Sequence, residues 1–223
     1  MPGQQVDHLA VVAALTPDRL DSYVAACGGD MERAVRLYTW NAAVSSALWG
    51  GFHVVEVTLR NTIHAQLETY VGRADWWNGT TELREFEVRR LSEAIASVRQ
   101  DKGPLATPGH VVAKLGFGFW TAMLANRYHQ LLWAPALQFG FPHLTLQRRD
   151  LHRDLERMRR LRNRVAHHEP VFARDLAEDH AKVLSALDAI SPAVARWVEN
   201  DSRLPSVLAA RDRVVAGLEP TSL

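Results

Sequence analysis

The sequence predicts an all-α fold. Apolar residues recur every three or four positions along most of the chain, which is typical of amphipathic helices. Glycine, proline and capping residues separate these segments, and no alternating pattern of useful length indicates a β-strand. The chain has 223 residues, of which 47% are hydrophobic, so it can bury a sizeable core. We therefore expect a single all-α helical bundle over residues 1–223.

The composition is that of an ordinary soluble protein. The formal net charge is +1, so any affinity for nucleic acid must come from local clusters of cations. Cys27 is the only cysteine, which excludes an internal disulfide framework. The first residues do not form a signal peptide, and no apolar run is long enough to cross a bilayer. These features predict a cytoplasmic protein without a membrane partner.

Helix-breaking and capping residues place the boundaries of the helices. Thr16 and Pro17 begin a second short helix, in which threonine is the expected cap. Gly50 and Gly51 are expected to kink or break a longer helical pattern. The predicted helices cover residues 6–26 in one or two pieces, 30–49, 52–71, 81–100, 110–133, 151–168 and 176–190, followed by two shorter ones in 192–199 and 205–218.

Several residues between these helices have two interpretations. Trp76 and Trp77 lie in a turn-rich connection, where they either cap the core or stack on an unpaired base. Gly116 and Gly118 do not form a nucleotide-binding loop, because the required glycine and lysine spacing is missing, so close packing is expected there. The residues expected to point into the core nearby are Leu83, Phe86, Leu91, Ile95, Val98, Phe117, Phe119 and Trp120.

Glu56 and Arg60 form a further pair with two interpretations. They are four residues apart in the favourable acid-first order on a predicted helix, next to an apolar stripe. Either the pair is solvated, or it lies at the core edge and supports the arginine-rich helix described next.

The segment from Leu151 to Phe172 has the most distinctive pattern in the chain. It combines an apolar helical stripe with a dense ridge of arginines that includes Arg159 and Arg164. At about 100° per residue, Asn163 and His167 share one side of the helix. Pro170 disfavours helix at the residue before it, so the helix should end just past the two histidines. The stripe consists of Leu151, Leu155, Met158, Leu161 and Val165.

The residue types at the end of this helix suit metal-free cleavage of RNA. Histidine exchanges protons at neutral pH, and arginine binds phosphate, so His167 and Arg162 supply the groups that attack by a ribose 2′-hydroxyl requires. DNA lacks this hydroxyl and is excluded as a substrate. A zinc site is not expected, because Phe172 replaces the second histidine of the helical zinc motif. On spacing alone, an arginine and a histidine in a basic helix remain a weak motif.

The segment Arg162–Pro170, RNRVAHHEP, closely resembles the signature of the HEPN superfamily, and in particular the abortive-infection (Abi-like) proteins of bacteria. Asn163 is the polar residue expected after the arginine. The resemblance covers roughly residues 35–175 and leaves helical extensions at both ends. Further matching blocks are Trp40-Asn41 with Ser45, Glu56-x-x-Leu59-Arg60-Asn61, Asp75-Trp76-Trp77 and Gly116-Phe-Gly-Phe-Trp120.

The resemblance implies a helical bundle of the HEPN type that forms a homodimer and acts as a metal-independent endoribonuclease. Arg162 and His167 are then catalytic and Asn163 supports them, while no cofactor or metal is required. His168, Arg159, Arg164, Glu56 and Arg60 are candidates for supporting or RNA-binding residues. RNA is the expected partner, together with an antitoxin protein or small RNA, as in toxin or antiphage systems. The alternative is a non-catalytic HEPN module that binds RNA or another protein.

Overall fold

The structure is a computed structural model that describes residues 8–79 and 83–220, without the side chains of residues 8 and 9. These residues form ten α-helices and no strand, which confirms the all-α prediction. The α-helices are α1 (His8–Leu15), α2 (Pro17–Ala26), α3 (Met31–Val71), α4 (Glu85–Lys102), α5 (Pro108–Lys114), α6 (Phe117–Ala122), α7 (Arg148–Ala166), α8 (Leu176–Ile190), α9 (Pro192–Asp201) and α10 (Leu204–Val215). Shorter helical turns cover Trp76–Asn78, Gly103–Leu105, Asn126–Tyr128, His129–Trp133 and Leu137–Gly140.

The described chain divides into two compact units. The first comprises residues 8–51, 161–180 and 201–220, and the second comprises residues 52–79, 83–160 and 181–200. The chain passes from one unit to the other inside continuous helices, among them α3 and α7. The single domain expected over the whole chain stays a prediction.

In the first unit, α2 begins at Pro17 as predicted, but Thr16 does not cap it. Its side chain makes no capping hydrogen bond, and its backbone has a positive φ of 68°. Gly28 ends the segment in the left-handed region with a φ of 65°, where glycine carries no steric penalty. At the start of α3 the carboxylate of Asp30 accepts the Arg33 N–H at 3.0 Å and so caps the helix.

The core of the first unit contains a cluster of aromatic side chains. Tyr23 is fully buried, and its ring lies 5.3 Å from that of Tyr38 and 4.9 Å from that of Phe172. Burial raises the pKa of Tyr23 to about 12, against the opposing charge of Arg19, so the phenol stays neutral. The cluster brings α2, α3 and the chain after Pro170 together.

A kink or a break was predicted at Gly50 and Gly51, and the prediction of a break is wrong. Helix α3 continues through both glycines for 41 residues. Each glycine costs about 1 kcal/mol relative to alanine in a helix. Leu48 and Phe52 on either side are 3% and 4% exposed, and burial of two large side chains outweighs that cost.

In the second unit, α4 presents a different face to the core than the sequence suggested. Leu91 and Val98 are buried as predicted, but Phe86 is 47% exposed and the neighbouring Glu87 is fully buried. The buried positions of α4 follow helical steps of four, three and four residues from Glu87, and Phe86 falls about 100° away from this stripe. Leu83 and Ile95 are half-buried, and the predicted helix start at Thr81 lies outside the described residues.

The single helix predicted for residues 110–133 is also wrong. Leu115 and Gly116 adopt extended backbone angles between α5 and α6, because Leu115 has ψ 124° and Gly116 has ψ 168°. The buried indole of Trp120 donates its N–H to the carbonyl of Leu115 at 3.2 Å, which satisfies an acceptor that the break releases. Phe117, Phe119 and Trp120 are all buried as expected.

Trp76 belongs to the core. It is fully buried, and its indole N–H donates to Nδ1 of His64 at 3.1 Å. Burial lowers the pKa of His64, against the opposing charge of Glu68, so Nδ1 remains an acceptor at neutral pH. Trp77 is half-buried and packs edge-to-face on Trp76 with ring centres 5.3 Å apart. Trp76 therefore has no free face for stacking on a base.

The expectation that no apolar run is long enough to cross a bilayer does not hold by length and composition, because one segment of the described chain, Met31–Asn78, meets both requirements. The core helix of a soluble protein meets the same criterion, so this finding is weak evidence for a membrane span. The expectation of a cytoplasmic protein stays a prediction.

Candidate functional site

Helix α7 has the amphipathic character that the sequence predicted. Its five stripe residues are each between 0% and 7% exposed. The arginines occupy the other sides of the helix, where each of them is half-buried or exposed. The buried stripe fixes the rotation of α7, and with it the direction in which each polar side chain leaves the helix. The stripe residues are Leu151, Leu155, Met158, Leu161 and Val165.

Helix α7 ends at Ala166, before the two histidines and not just past them as predicted. The Glu169 N–H donates to the Arg164 carbonyl at 2.8 Å, and the His168 N–H donates to the Val165 carbonyl at 3.0 Å. This pair of hydrogen bonds forms a Schellman motif. His168 takes the left-handed position of the motif, which glycine usually fills, with a φ of 57°. The reversal of the chain therefore depends on a strained histidine.

Two arginine side chains, one from α2 and one from α7, stabilise this turn. Arg19 of α2 donates from Nη2 to the carbonyl of His168. Arg164 donates from Nη2 to the carbonyl of Pro170 at 2.8 Å, and its Nε lies 3.3 Å from a carboxylate oxygen of Glu169. Arg164 was predicted to support catalysis or bind RNA, which stays a prediction. Its described contacts hold Glu169 and Pro170, the residues that follow the turn, against the end of α7.

Arg162 and Asn163 lie side by side in the last turns of α7. The guanidinium carbon of Arg162 lies 5.6 Å from the centre of the Trp49 ring, as a cation–π contact. Its Nη1 is 3.5 Å from Oδ1 of Asn163, at the outer limit of a hydrogen bond. Both residues are half-buried, whereas His167 is exposed. Trp49 and Asn163 thus both contact the guanidinium, and the supporting role in catalysis expected for Asn163 stays a prediction.

A cleft of about 550 Å³ lies in the first unit beside this turn. We call it the first cleft. Helix α2, the first half of α3 and the end of α7 form its walls, and the exposed ring of Trp49 is one of its lining groups. Among the described residues that line it there is one guanidinium and no carboxylate, so its polar surface favours an anion. The lining residues are Arg19, Tyr38, Asn41, Ala42, Ser45, Ser46, Trp49, Gly50, Val165, Ala166 and His168.

The predicted catalytic residues Arg162 and His167 and the predicted supporting residue His168 lie at different places relative to the first cleft. His168 lines it, and Arg162 contacts the Trp49 ring that lines it. His167 is exposed and is absent from the lining. Its N–H still donates to the Asn163 carbonyl at 2.9 Å, so its backbone continues the helical path even though α7 has formally ended. The helical offset between Arg162 and His167 is therefore retained.

Asn41, which the sequence analysis named only within a matching block and gave no role, is a structural residue of this site. It is 5% exposed, and its Oδ1 accepts the Val171 N–H at 2.8 Å, which anchors the chain directly after Pro170 to α3. The adjacent Trp40 is also buried and donates its indole N–H to the Val207 carbonyl at 2.8 Å. A signal was present in the sequence: Asn41, Ala42, Ser45 and Ser46 are small or polar and recur at helical spacing, so they share one side of α3.

Three predicted supporting residues belong to the second unit. Arg159 donates from Nε and Nη2 to the carboxylate of Glu156, at 3.1 Å and 2.9 Å. Glu56 and Arg60 are both half-buried, which places them at the edge of a core stripe, and Arg60 Nε lies 3.3 Å from Oδ1 of Asn61. Their role in binding or cleaving RNA stays a prediction.

The described residues contain no group of three or more histidine, cysteine, aspartate or glutamate side chains placed to hold a metal ion. The chain matches no family model, no curated protein and no solved structure.

Replacing His168 by glycine is expected to stabilise the protein. Removing the strain of the left-handed backbone should raise the free energy of unfolding by about 1 kcal/mol. Part of this gain is lost, because glycine has a larger entropy in the unfolded chain. For a chain of this size the melting temperature should rise by about 2–4 °C per kcal/mol, measured by thermal unfolding. His167→Gly is the matched control and should lower it, because His167 keeps the helical hydrogen bond. If the melting temperature fell as much in His168→Gly as in His167→Gly, the backbone of His168 would not be strained.

Proposed function

We propose that this protein is a metal-independent endoribonuclease of the HEPN type that resembles the Abi-like proteins. The observation that carries this proposal is the end of α7, where the guanidinium of Arg162 is oriented by Trp49 and Asn163, one turn before the exposed His167. The adjoining first cleft offers an anion-favouring surface of nucleotide size. These features supply a phosphate clamp, a proton-transfer group and a binding surface.

The reaction that fits these groups is an internal transesterification. A neutral imidazole takes the proton from a ribose 2′-hydroxyl, and the resulting oxygen attacks the adjacent phosphorus. The P–O5′ bond breaks, and the departing 5′ oxygen accepts a proton from an imidazolium. The guanidinium of Arg162 stabilises the additional negative charge on the phosphoryl oxygens in the transition state. The products carry a 2′,3′-cyclic phosphate and a 5′-hydroxyl.

This activity suits a cytoplasmic toxin or an abortive-infection defence, in which cleavage of cellular RNA stops growth. Such a role requires a partner that restrains the enzyme, either an antitoxin protein or a small RNA. The turn after α7 is the region where a restraining partner would act most directly, because His167, His168 and Glu169 are all exposed there.

A non-catalytic RNA-binding module is the second candidate function. One observation favours it: the first cleft is lined by His168 and not by His167, and the backbone of His168 has a structural role in the turn. In such a module the exposed Trp49 ring and Arg19 would bind RNA without cleavage. The two candidates differ in a single readout, which is whether the purified protein cuts RNA.

We expect the purified protein to cleave RNA in excess EDTA and to leave a 2′,3′-cyclic phosphate and a 5′-hydroxyl. Metal is unnecessary because imidazole and guanidinium groups provide both the proton transfer and the charge stabilisation. Mass spectrometry of a cleaved synthetic oligonucleotide identifies both ends. A 3′-hydroxyl product, or activity lost in EDTA and restored by magnesium, would refute the mechanism.

Two controls make this experiment specific. The His167→Ala protein, purified in parallel, reports cleavage by contaminating ribonucleases. A substrate with a single 2′-deoxyribose at the cleaved position removes the attacking hydroxyl and should resist cleavage there. Binding of RNA without any cleavage above the His167→Ala background would favour the non-catalytic module.

A further inference from the structure

The first cleft contains a buried amide whose hydrogen-bonding groups are only half used. Asn41 lines this cleft and is 5% exposed. The Val171 N–H donates to its Oδ1 at 2.8 Å, which fixes the orientation of the amide and identifies the other atom as Nδ2. No described residue accepts a hydrogen bond from Nδ2, and this atom stays accessible. A largely buried side chain thus presents N–H donors to the cleft.

Ser45, one helical turn further along α3, presents the complementary group. Its hydroxyl donates to the Asn41 carbonyl at 2.7 Å, so its proton is used within the helix and its oxygen remains as an acceptor. Residues four positions apart lie on the same side of a helix, and both of these residues line the cleft. The α3 wall therefore offers a fixed donor beside a fixed acceptor.

Trp49 adds an aromatic surface one further turn along the same wall. Its ring is 44% exposed and lines the first cleft. The guanidinium of Arg162 lies 5.6 Å from the ring centre and occupies one face, which leaves the second face of the ring for a ligand. An aromatic ring beside a paired donor and acceptor is suited to a flat heterocycle, because stacking binds its face while hydrogen bonds select its edge.

The charges around the first cleft separate the two ends of a nucleotide. The lining residues that α3 contributes are all neutral, whereas the guanidiniums of Arg19 and Arg162 belong to α2 and α7. A phosphate is favoured beside arginine and is costly to bury against neutral groups. The α3 wall is therefore the side for a base, and the arginines are the side for the phosphate.

We propose that the first cleft binds one unpaired base next to the scissile phosphate and selects it by its pairing edge. Asn41 and Ser45 are the specificity-determining residues, and Trp49 is the stacking surface. The inference deepens the proposed ribonuclease and rests on it for the position of the phosphate. A base that is already paired in a duplex has no free edge to present to Asn41 and Ser45.

The pairing edges of the four bases fall into two classes. Uracil and guanine present an exocyclic carbonyl beside a ring N–H, whereas adenine and cytosine present an exocyclic amine beside a ring nitrogen that accepts. A donor and an acceptor that are both fixed match one of these patterns and place like groups against each other in the second pattern. The cleft should therefore prefer one class of bases over the other.

The test measures binding of the full chain to the four homotrinucleotides of A, C, G and U, each with 2′-fluoro sugars, by isothermal titration calorimetry in EDTA. The fluorine cannot attack the phosphate, so these probes are not cleaved. We expect the two trinucleotides of one class to bind about 10-fold more tightly than the other two, since a matched pair of hydrogen bonds is exchanged for a mismatched one. Equal binding of all four would overturn the proposal.

Asn41→Asp replaces the donor by an acceptor at the same position. The new carboxylate still accepts the Val171 N–H, and mildly alkaline pH keeps it ionised despite burial. We expect the preference to pass to the other class of bases. Asn200→Asp, at an exposed position of α9, makes the same change of charge outside the cleft and should leave the preference unchanged. An unchanged preference in a folded Asn41→Asp protein would refute the role of Asn41.

Two further variants keep the proposal testable if Asn41→Asp does not fold. Ser45→Ala removes the acceptor without burying a charge, and it should reduce the difference between the two classes of bases. Trp49→Leu should weaken all four trinucleotides about 10-fold and alike, because stacking is tolerant of the base. Melting temperatures check that both variants are folded. A full difference between the classes in Ser45→Ala, together with unchanged affinities in Trp49→Leu, would overturn the proposal.

Binding and cleavage together separate this inference from the proposed function. If the protein cuts a mixed-sequence RNA with no base preference on either side of the cut, the base site is refuted and the ribonuclease stands. If it binds trinucleotides selectively but cuts no RNA, the ribonuclease is refuted and the base site stands, as part of the non-catalytic module.

Discussion

His167→Ala and Arg162→Ala are each expected to abolish RNA cleavage. Removal of a general base or acid commonly costs about 10²–10⁴-fold in rate. Loss of a charged donor to the transition state costs about as much, because its stabilisation is needed only when the phosphoryl oxygens gain charge. Single-turnover cleavage of a fluorescent oligonucleotide measures both losses. The same variants should no longer inhibit growth when they are expressed in bacteria.

The fold should survive both substitutions, for different reasons. His167 is exposed, so its side chain contributes little to stability. Arg162 loses its cation–π contact with Trp49, which is worth about 0.5–1 kcal/mol at an exposed site. Melting temperatures within a few degrees of that of the unsubstituted protein would confirm that any loss of activity comes from the missing catalytic group and not from unfolding.

Arg160→Ala is the matched control for these variants. Arg160 lies on the same helix, and its replacement removes the same charge as Arg162→Ala. Its side chain is exposed and does not line the first cleft. Arg160→Ala should weaken RNA binding slightly, because one long-range attraction to the phosphates is lost. The rate at which the bound substrate is cleaved should stay unchanged. Full activity in His167→Ala or Arg162→Ala would refute the catalytic assignment, and an equal loss in Arg160→Ala would show that α7 acts through its net charge alone.

The core of α7 could be predicted from the sequence, whereas its end could not. The stripe from Leu151 to Val165 follows directly from helical geometry, since one amphipathic helix has one apolar face. Pro170 indicated that the helix stops, but the Schellman motif with His168 in the left-handed region depends on tertiary contacts. Arg19 stabilises that turn from a distant part of the sequence, and no local pattern predicts such a contact.

The error in the predicted buried face of α4 has one physical cause, which is the burial of a charged residue. Hydrophobicity predicts burial only while charged groups stay in water, and a charged residue with buried partners reverses this rule. Glu87 enters the core because Arg127 and Tyr128 satisfy its carboxylate, and the helix then turns Phe86 outward. The partners are about 40 residues away in sequence, and sequence periodicity contains no information about them.

The last expectation is that the working site is shared between two chains. Arg162 and His167 are five residues apart, and in a helix they leave the axis about 140° from each other. The hydrogen bond from the His167 N–H to the Asn163 carbonyl shows that the backbone keeps this offset up to His167. The reversal begins one residue later, at His168, so it does not bring His167 back towards Arg162.

A twofold dimer would overcome this separation. An isologous contact that aligns the two α7 ends brings the arginine of one chain near the histidine of the other. It also supplies two imidazoles, so one acts as base and the other as acid in the same reaction. The cost is repulsion between the arginines of the two chains, which RNA phosphates and carboxylates such as Glu169 would offset.

Dilution separates a shared site from a site within one chain. We expect cleavage per chain to fall as the protein is diluted through the range in which size-exclusion chromatography shows dimer giving way to monomer, because each monomer retains only half of the catalytic groups. An inert carrier protein at constant total concentration controls for loss on surfaces, and a saturating substrate concentration controls for weaker RNA binding. Constant activity per chain across that range would exclude the shared site, since a complete set of catalytic groups in one chain does not depend on a partner.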